Sequence, residues 1–152
     1  MKRIRYNNLG IEIEIKSSEA KFLEIKEFKN CVRVFYDSKR VVTVLKDSKV
    51  EFFNFAHIIC YRGRVVAFNN TCVEAGSMSR VFAKDRSCVL AYRGSEVRAG
   101  GRAKVRALDS SRVIASGRAQ VDLEGKSIGY KKSHSRARIS KLDNRAKVVN
   151  ID

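Results

Sequence analysis

Valine and alanine alternate with polar residues in units of eight along the second half of the chain. An alanine stands two residues after each valine from Ala67 to Ala115, and Leu123 follows the last valine. A small residue (Ser, Thr or Ala) follows four positions later. The valines are Val65, Val73, Val81, Val89, Val97, Val105, Val113 and Val121, with Gly129 and Ala137 in this position in the last two units. This alternation predicts short β-strands separated by a turn every eight residues.

The unit V-x-A-x-[G/S/D/N/R]-x-[S/A]-x is too short to bury its own apolar face, so it must stack on copies of itself. The predicted fold class is therefore an all-β solenoid of octad repeats. Two units, or sixteen residues, give a two-sided coil, and three units would give a three-sided coil. The small inward residues favour the two-sided form. That coil also places Cys72 beside Cys88 and aligns one column of Arg86, Arg102, Arg118 and His134.

The repeat resembles the alanine- and valine-rich octad solenoids found in proteins of phages, mobile elements and bacterial toxin systems. The resemblance covers Val65 to Ile139, about half of the chain, and concerns architecture. Such solenoids serve as scaffolds, spikes and binding modules, so the resemblance implies no catalytic or ligand-binding residue. One function that it implies for a binding module is inhibition of a host defence, such as a CRISPR effector.

We expect a single domain over residues 1–152, with irregular N-terminal coils and a cap in 1–64, the regular solenoid in 65–139 and a terminal coil in 140–152. Apolar pairs continue the pattern more loosely upstream: Val32/Val34, Val42/Val44, Val50/Phe52 and Ile58/Cys60. Ile11 to Ile15 alternates as a strand does. Ser18 to Asn30 fits a helix or a strand, and we favour a strand. The absence of proline suits a chain whose amides pair between coils.

Phenylalanines are concentrated in the N-terminal part. We expect them to fill a wider terminal section that caps the solenoid, and an aromatic binding platform is the alternative. The residues are Phe22, Phe28, Phe35, Phe52, Phe53 and Phe55.

Positive charge is the second strong signal in the sequence. The formal net charge is +16, and residues 61–152 hold 20 Lys and Arg against 8 Asp and Glu, whereas residues 1–60 hold 12 against 8. Such a field attracts polyanions, although an acidic protein, a membrane surface or simple solubility would also account for it. The candidate nucleic-acid-binding residues are Arg64, Arg80, Arg86, Arg102, Arg112, Arg118, Lys131, Lys132, His134, Arg136 and Arg138.

Catalytic chemistry finds little support in the sequence. The two histidines, His57 and His134, are far apart, and no nucleophile elbow, phosphate-binding loop or zinc-protease motif is present. The four cysteines have no metal-binding spacing, so we expect no enzyme activity, metal or cofactor. No signal peptide or membrane span is recognisable, so the expected location is the cytoplasm, with reduced thiols.

The predicted function is a non-catalytic basic module that docks on nucleic acid or on a ribonucleoprotein complex. No base-reading motif is present, so we expect contact with phosphates independent of base sequence. The alternative is a structural protein that assembles with copies of itself through the ends or edges of the solenoid.

Overall fold

In a computed structural model, the chain is described over residues 2–8, 11–17, 23–28, 31–36, 41–44, 49–53 and 57–152. Side chains are described for residues 58–60, 64–76 and 79–152. All regular secondary structure in this part of the chain is β-strand. It contains no helix with the length and hydrophobicity that a membrane span requires.

The described part of the chain contains sixteen strands. The first eight are β1 (Lys2–Asn8), β2 (Ile11–Ser17), β3 (Leu23–Phe28), β4 (Cys31–Tyr36), β5 (Val41–Val44), β6 (Lys49–Phe53), β7 (His57–Ala67) and β8 (Cys72–Ala83). The last eight are β9 (Cys88–Ala91), β10 (Glu96–Ala99), β11 (Lys104–Ala107), β12 (Arg112–Ala115), β13 (Gln120–Leu123), β14 (Ile128–Lys132), β15 (Arg138–Lys141) and β16 (Lys147–Ile151).

The strands from β7 onward stack in parallel as a two-sided solenoid, which confirms the predicted fold class and the sixteen-residue coil. From β7 onward, the first sheet contains residues 57–60 of β7 and 72–75 of β8, followed by β9, β11, β13 and β15. The second sheet contains residues 64–67 of β7 and 80–83 of β8, followed by β10, β12, β14 and β16. Alternate octads therefore lie in opposite sheets.

The N-terminal strands combine antiparallel and parallel pairing. β1 pairs with β2, β2 with β5 and β3 with β4 in antiparallel fashion. β4 then pairs with β6, β5 with β7 and β6 with β7 in parallel, so parallel stacking begins upstream of the regular octads. Between Ser18 and Asn30, where the sequence fits a helix or a strand, the described residues form the strand β3. The N-terminal phenylalanine side chains lie outside the described ones, so their role in filling this section stays a prediction.

The core is a set of identical apolar residues stacked in columns. In the second sheet Val65, Val81, Val97 and Val113 are successive partners, and in the first sheet Val73, Val89, Val105 and Val121 are. These valines and the alanines two positions later are at most 3% exposed. Because the inward side chains are small, the two sheets enclose a thin core, as the sequence predicts.

Small hydroxyl residues occupy the corners between the sheets. The hydroxyls of Thr71, Ser87 and Ser111 each donate a hydrogen bond of 2.7 to 2.8 Å to a carbonyl three residues earlier. The buried hydroxyls of Ser79, Ser95 and Ser127 at the same position have no such acceptor. Burial, which Ala103 and Ala119 share with these residues, is therefore the common requirement, and it accounts for the small residue repeated at this position.

The strict period ends between His134 and Arg138. The turn closes as in earlier coils, with a hydrogen bond from the Ser135 amide to the Lys132 carbonyl. Two additional residues, Arg136 and Ala137, then precede β15, so that Val121 pairs with Ile139, eighteen residues later. The assignment of Ala137 to the valine position is therefore wrong: Ala137 is a buried corner residue, and Ile139 continues the valine column.

The last coil carries polar residues where earlier coils have alanine or leucine. Lys141 pairs with Leu123, and Asn150 pairs with Lys131, which itself follows Ala115 in its column. Lys141 and Asn150 are exposed. Among the described strands, β15 and β16 each pair on one side only. Polar side chains in the inward columns are typical of a capping repeat, which ends a solenoid in water.

Candidate nucleic-acid interface

The turns of the solenoid form two edges that differ in charge. We define the basic edge as the turns at 68–71, 84–87, 100–103, 116–119 and 132–137. The opposite edge consists of residues 76–79, where β8 passes from one sheet to the other, and the turns at 92–95, 108–111, 124–127 and 142–146. The cations of the basic edge are Lys84, Arg86, Arg102, Arg118, Lys132 and Arg136, against the single acid Asp85. The opposite edge has Arg93, Lys126 and Arg145 against Asp109, Glu124 and Asp143. The excess charge of the turns therefore lies on one edge.

Backbone hydrogen bonds between coils align the arginines of the basic edge. The amides of Arg86, Arg102 and Arg118 donate to the carbonyls of Asn69, Asp85 and Gly101 in the preceding coil, over 3.1, 2.6 and 2.7 Å. All three arginines are exposed. Stacked strands lie about 4.8 Å apart, so the guanidinium groups form a row with roughly this spacing.

A groove along the basic edge brings these arginines together with cations from the adjoining strands. Its lining is Asn70, Arg86, Cys88, Arg102, Lys104, Arg118, Gln120, Arg136 and Arg138. None of these described residues is acidic. Lys104 begins β11 two positions after Arg102 and was not among the predicted site residues. A count of two positions from each turn arginine would have identified it.

The register shift places two candidates at the end of the row instead of one. His134 occupies the turn sixteen residues after Arg118, as its spacing predicts, and Arg136 precedes Arg138, the partner of Gln120. A second cavity is lined by His134 and Arg136 together with Arg118. Lys132 lines this cavity as well and is exposed. Four of the candidate residues, Arg118, Lys132, His134 and Arg136, thus lie around one cavity, which Asp152 also lines, whereas Arg138 lines the groove.

Arg64, Arg80 and Arg112 lie elsewhere, on the outer face of the second sheet. They are aligned in the register Arg64, Arg80, Glu96, Arg112. Glu96 interrupts the row and contacts Arg80 Nε at 3.6 Å and Arg98 Nε at 3.8 Å. This face is consequently a weaker site for a polyanion than the basic edge.

Lys131 also lies away from the basic edge. It occupies the alanine column of the second sheet and is half-buried, between Ala115 and Asn150 in the register. Lys131 is thus the first polar residue of this column before the polar end of the solenoid, and it is poorly placed for direct contact with phosphates.

Two thiols lie beside the groove. Cys72 and Cys88 are register partners on adjacent strands, as their spacing predicts, and both are free. Burial raises the pKa of the Cys72 thiol, and the charge of Cys88 and a hydrogen bond to it raise this pKa further. Within the described residues, no three His, Cys, Asp or Glu side chains form a group that could hold a metal ion.

The basic edge presents guanidinium and ammonium donors at repeated positions. The ligands that match such donors are anionic oxygens, and above all phosphates. Comparison of the chain with protein-family models, curated proteins and solved structures found no match.

Proposed function

We propose that the chain is a non-catalytic binding module whose basic edge docks on the phosphate backbone of nucleic acid, free or within a ribonucleoprotein complex. The observation that supports this function is the difference between the two edges. If the charge served solubility alone, both sets of turns would serve equally well. Instead, the opposite edge is balanced, and the groove of the basic edge has an entirely neutral or cationic lining.

The spacing of the row suits a polyanion. From Arg86 to Arg136 there are three steps between coils, or about 14 Å, along a rigid β-structure. Several phosphates can be neutralised at once over this length, and the release of their counterions drives binding. Turn arginines contact the backbone and not base edges, so the module does not read sequence.

The host-defence role is a specific form of this proposal. A ribonucleoprotein effector such as a CRISPR complex works in the cytoplasm and exposes nucleic-acid backbone when it binds its target. A rigid cationic module that occupies this backbone would compete with the target.

Self-assembly is the second candidate function. It is favoured by the outer edges of β15 and β16, which have no partner among the described strands, and by the exposed apolar side chains of Leu142, Val148 and Val149. However, a coil stacked on this end would bury Lys141 and Asn150. Burying a charge without a partner is costly, so the end of the solenoid suits water better than a second copy.

Two triple variants with the same loss of charge test the proposal. One replaces Arg86, Arg102 and Arg118 with Gln on the basic edge. The control replaces Arg93, Lys126 and Arg145 with Gln on the opposite edge. Fluorescence anisotropy with short single- and double-stranded oligonucleotides at low salt measures binding, and light scattering measures oligomer size.

We expect the basic-edge variant to lose most of its affinity and the control to keep it. Equal weakening of both variants would indicate attraction by net charge alone. No binding by the wild-type chain would reject the proposal, and concentration-dependent oligomers would then favour assembly.

A further inference from the structure

In two turns, the backbone N–H of the first central residue donates to a carboxylate of the following coil. Asp85 Oδ2 accepts from the Asn69 amide at 3.2 Å, and Asp109 Oδ2 accepts from the Arg93 amide at 3.4 Å. The Gly125 amide contributes in the same sense to the lowered pKa of the Asp143 carboxyl. In both hydrogen bonds the acceptor is an anionic oxygen, so this amide position is suited to bind an oxyanion.

The backbone conformation gives the reason. Asn69 and Arg93 have φ values of 54° and 51°, in the left-handed region, and Gly101 and Gly117 have closely similar values of 59° and 61°. Because the four residues share this conformation and this place in the turn, we expect the Gly101 and Gly117 N–H groups to suit the same kind of acceptor.

Along the basic edge, the amides of Asp85, Gly101 and Gly117 donate to no carboxylate of the following coil. Gly101 lies over Asp85, where a Cβ would lie 2.8 Å from Asp85 N, but Asp85 carries a carboxylate of its own, which disfavours a second anion at its amide. The residue over Gly101 is Gly117, which has no side chain, and a Cβ there would lie 3.0 Å from Gly101 N. The residue sixteen positions after Gly117 is Ser133, and the cavity that both residues line is also lined by Asp152. Among the described residues, no protein atom accepts a hydrogen bond from the Gly101 or Gly117 amide. Both glycines are exposed, and each is followed by an arginine of the row.

We propose that the Gly101 and Gly117 amides bind phosphate oxygens directly, so that main-chain donors and the guanidinium groups of Arg102 and Arg118 together hold successive phosphates of a nucleic-acid backbone. This inference rests on the proposed function and adds to it the atoms that touch the ligand. The external phosphate would take the place that the Asp85 carboxylate has over Asn69.

The two kinds of donor have different roles. An arginine side chain is mobile and attracts phosphate over a distance, but it loses conformational freedom when it binds. A backbone amide in a solenoid turn is already fixed, and a hydrogen bond from it to a phosphate oxygen is charge-assisted. The glycines therefore provide orientation and the arginines provide charge.

Gly117→Asn tests this assignment without a change in net charge. An asparagine at this position can place its side-chain oxygen over Gly101 N, as Asp85 does over Asn69. Asn69 shows that asparagine adopts the required conformation, with φ of 54°. The matched control is Gly125→Asn on the opposite edge, where a Cβ would lie 3.1 Å from Asp109 N.

The readout is the ¹⁵N–¹H spectrum of each protein during titration, first with inorganic tripolyphosphate and then with a short oligonucleotide. In the wild type, the Gly101 and Gly117 amide signals should move and that of Gly125 should not. Gly117→Asn should abolish the shift of Gly101 and weaken oligonucleotide binding about tenfold, the contribution of roughly one hydrogen bond to a charged group. Gly125→Asn should bind as the wild type does.

The outcomes separate this inference from the proposed function. If the wild type binds oligonucleotide but tripolyphosphate leaves the Gly101 amide unmoved, the amides are not the ligand site, whereas the basic edge remains one. If tripolyphosphate moves both amides but no oligonucleotide binds, the anion site stands and the nucleic-acid function fails. Because the wild-type titration needs no variant, a misfolded Gly117→Asn protein would not prevent the decision.

Discussion

Leu123 and Gly129 fit each other across the core of the solenoid. A Cβ at Gly129 would lie 2.9 Å from Leu123 Cδ1 and 3.1 Å from Ile139 Cγ2. Leu123 follows Ala75, Ala91 and Ala107 in its column, and Gly129 follows Val81, Val97 and Val113 in its own. The larger residue in one sheet thus occupies the volume that the smaller residue in the other sheet leaves.

This pair should behave non-additively in unfolding experiments. Gly129→Val alone overpacks the core, at a cost of about 1–3 kcal/mol in the free energy of unfolding. Leu123→Ala alone leaves a cavity, at a cost of about 2–5 kcal/mol. The double variant restores the usual alanine and valine, so denaturant titration should find it more stable than the sum of the single effects. Additivity within roughly 0.5 kcal/mol would show that the two side chains do not share space.

The inward and outward faces should differ in their tolerance of substitution. Ala99 is 1% exposed, and leucine at this position should reduce the free energy of unfolding by about 1–3 kcal/mol through overpacking. The Arg106 side chain is 59% exposed and forms an exposed ion pair of 3.0 Å with Glu124. Arg106→Gln, and likewise Arg98→Gln, should change stability by roughly 0.5 kcal/mol or less. Thermal melts with the reverse order of sensitivity would mean that the faces are misassigned.

Salt should weaken nucleic-acid binding steeply. For duplex DNA, the slope of log K against log salt falls by about 0.9 for each phosphate contact that is lost. The variant of Arg86, Arg102 and Arg118 should therefore have a slope shallower by up to about 2.7. Anisotropy titrations at several salt concentrations measure the slope, and base composition should hardly affect it. A slope equal to that of the wild type would place the contacts away from these three residues.

The Asp143 carboxylate should titrate at unusually low pH. A hydrogen bond from the Arg145 side chain is the largest cause that lowers its pKa from 3.8 to about 2, and the Arg145 amide contributes further. The pair thus stabilises the fold fully above the unfolded-state pKa, near 3.9, and this stabilisation is lost as the pH falls through about 2. The carboxyl ¹³C shift of Asp143 measures the midpoint, which Arg145→Gln should raise. A wild-type midpoint near 3.8 would contradict the contact.

The period of the sequence determines much of this fold because a regular solenoid is a local pattern repeated. The valine and alanine spacing predicts the strands, the two-sided coil and the pairing of Cys72 with Cys88. The two-residue register shift before β15 was not predicted, because alanine at position 137 suits a buried corner as well as an inward strand position. The antiparallel pairing of β1, β2 and β3 escaped as well, since alternation within a strand does not specify the direction of its partner.

The candidate site was predictable in its charges and less so in its donors. A spacing of sixteen residues is enough to align Arg86, Arg102 and Arg118 on one edge. The same spacing places Gly117 over Gly101. Two stacked glycines indicate an anion site only if the Gly101 N–H is known to point toward the following coil. That direction follows from the contact between Asp85 and Asn69, which belongs to the folded chain alone.

Alternate octads lie in opposite sheets, so whether an octad is odd- or even-numbered along the chain determines the edge on which its turn lies. Deleting sixteen residues from the regular region would shorten the arginine row by one member and leave every other residue on its own side. Deleting eight would exchange the two edges for the entire chain downstream of the cut, and the row would be split between opposite sides of the molecule. Evolution can therefore lengthen or shorten this surface only in whole coils, whereas the addition or loss of a single octad inverts it.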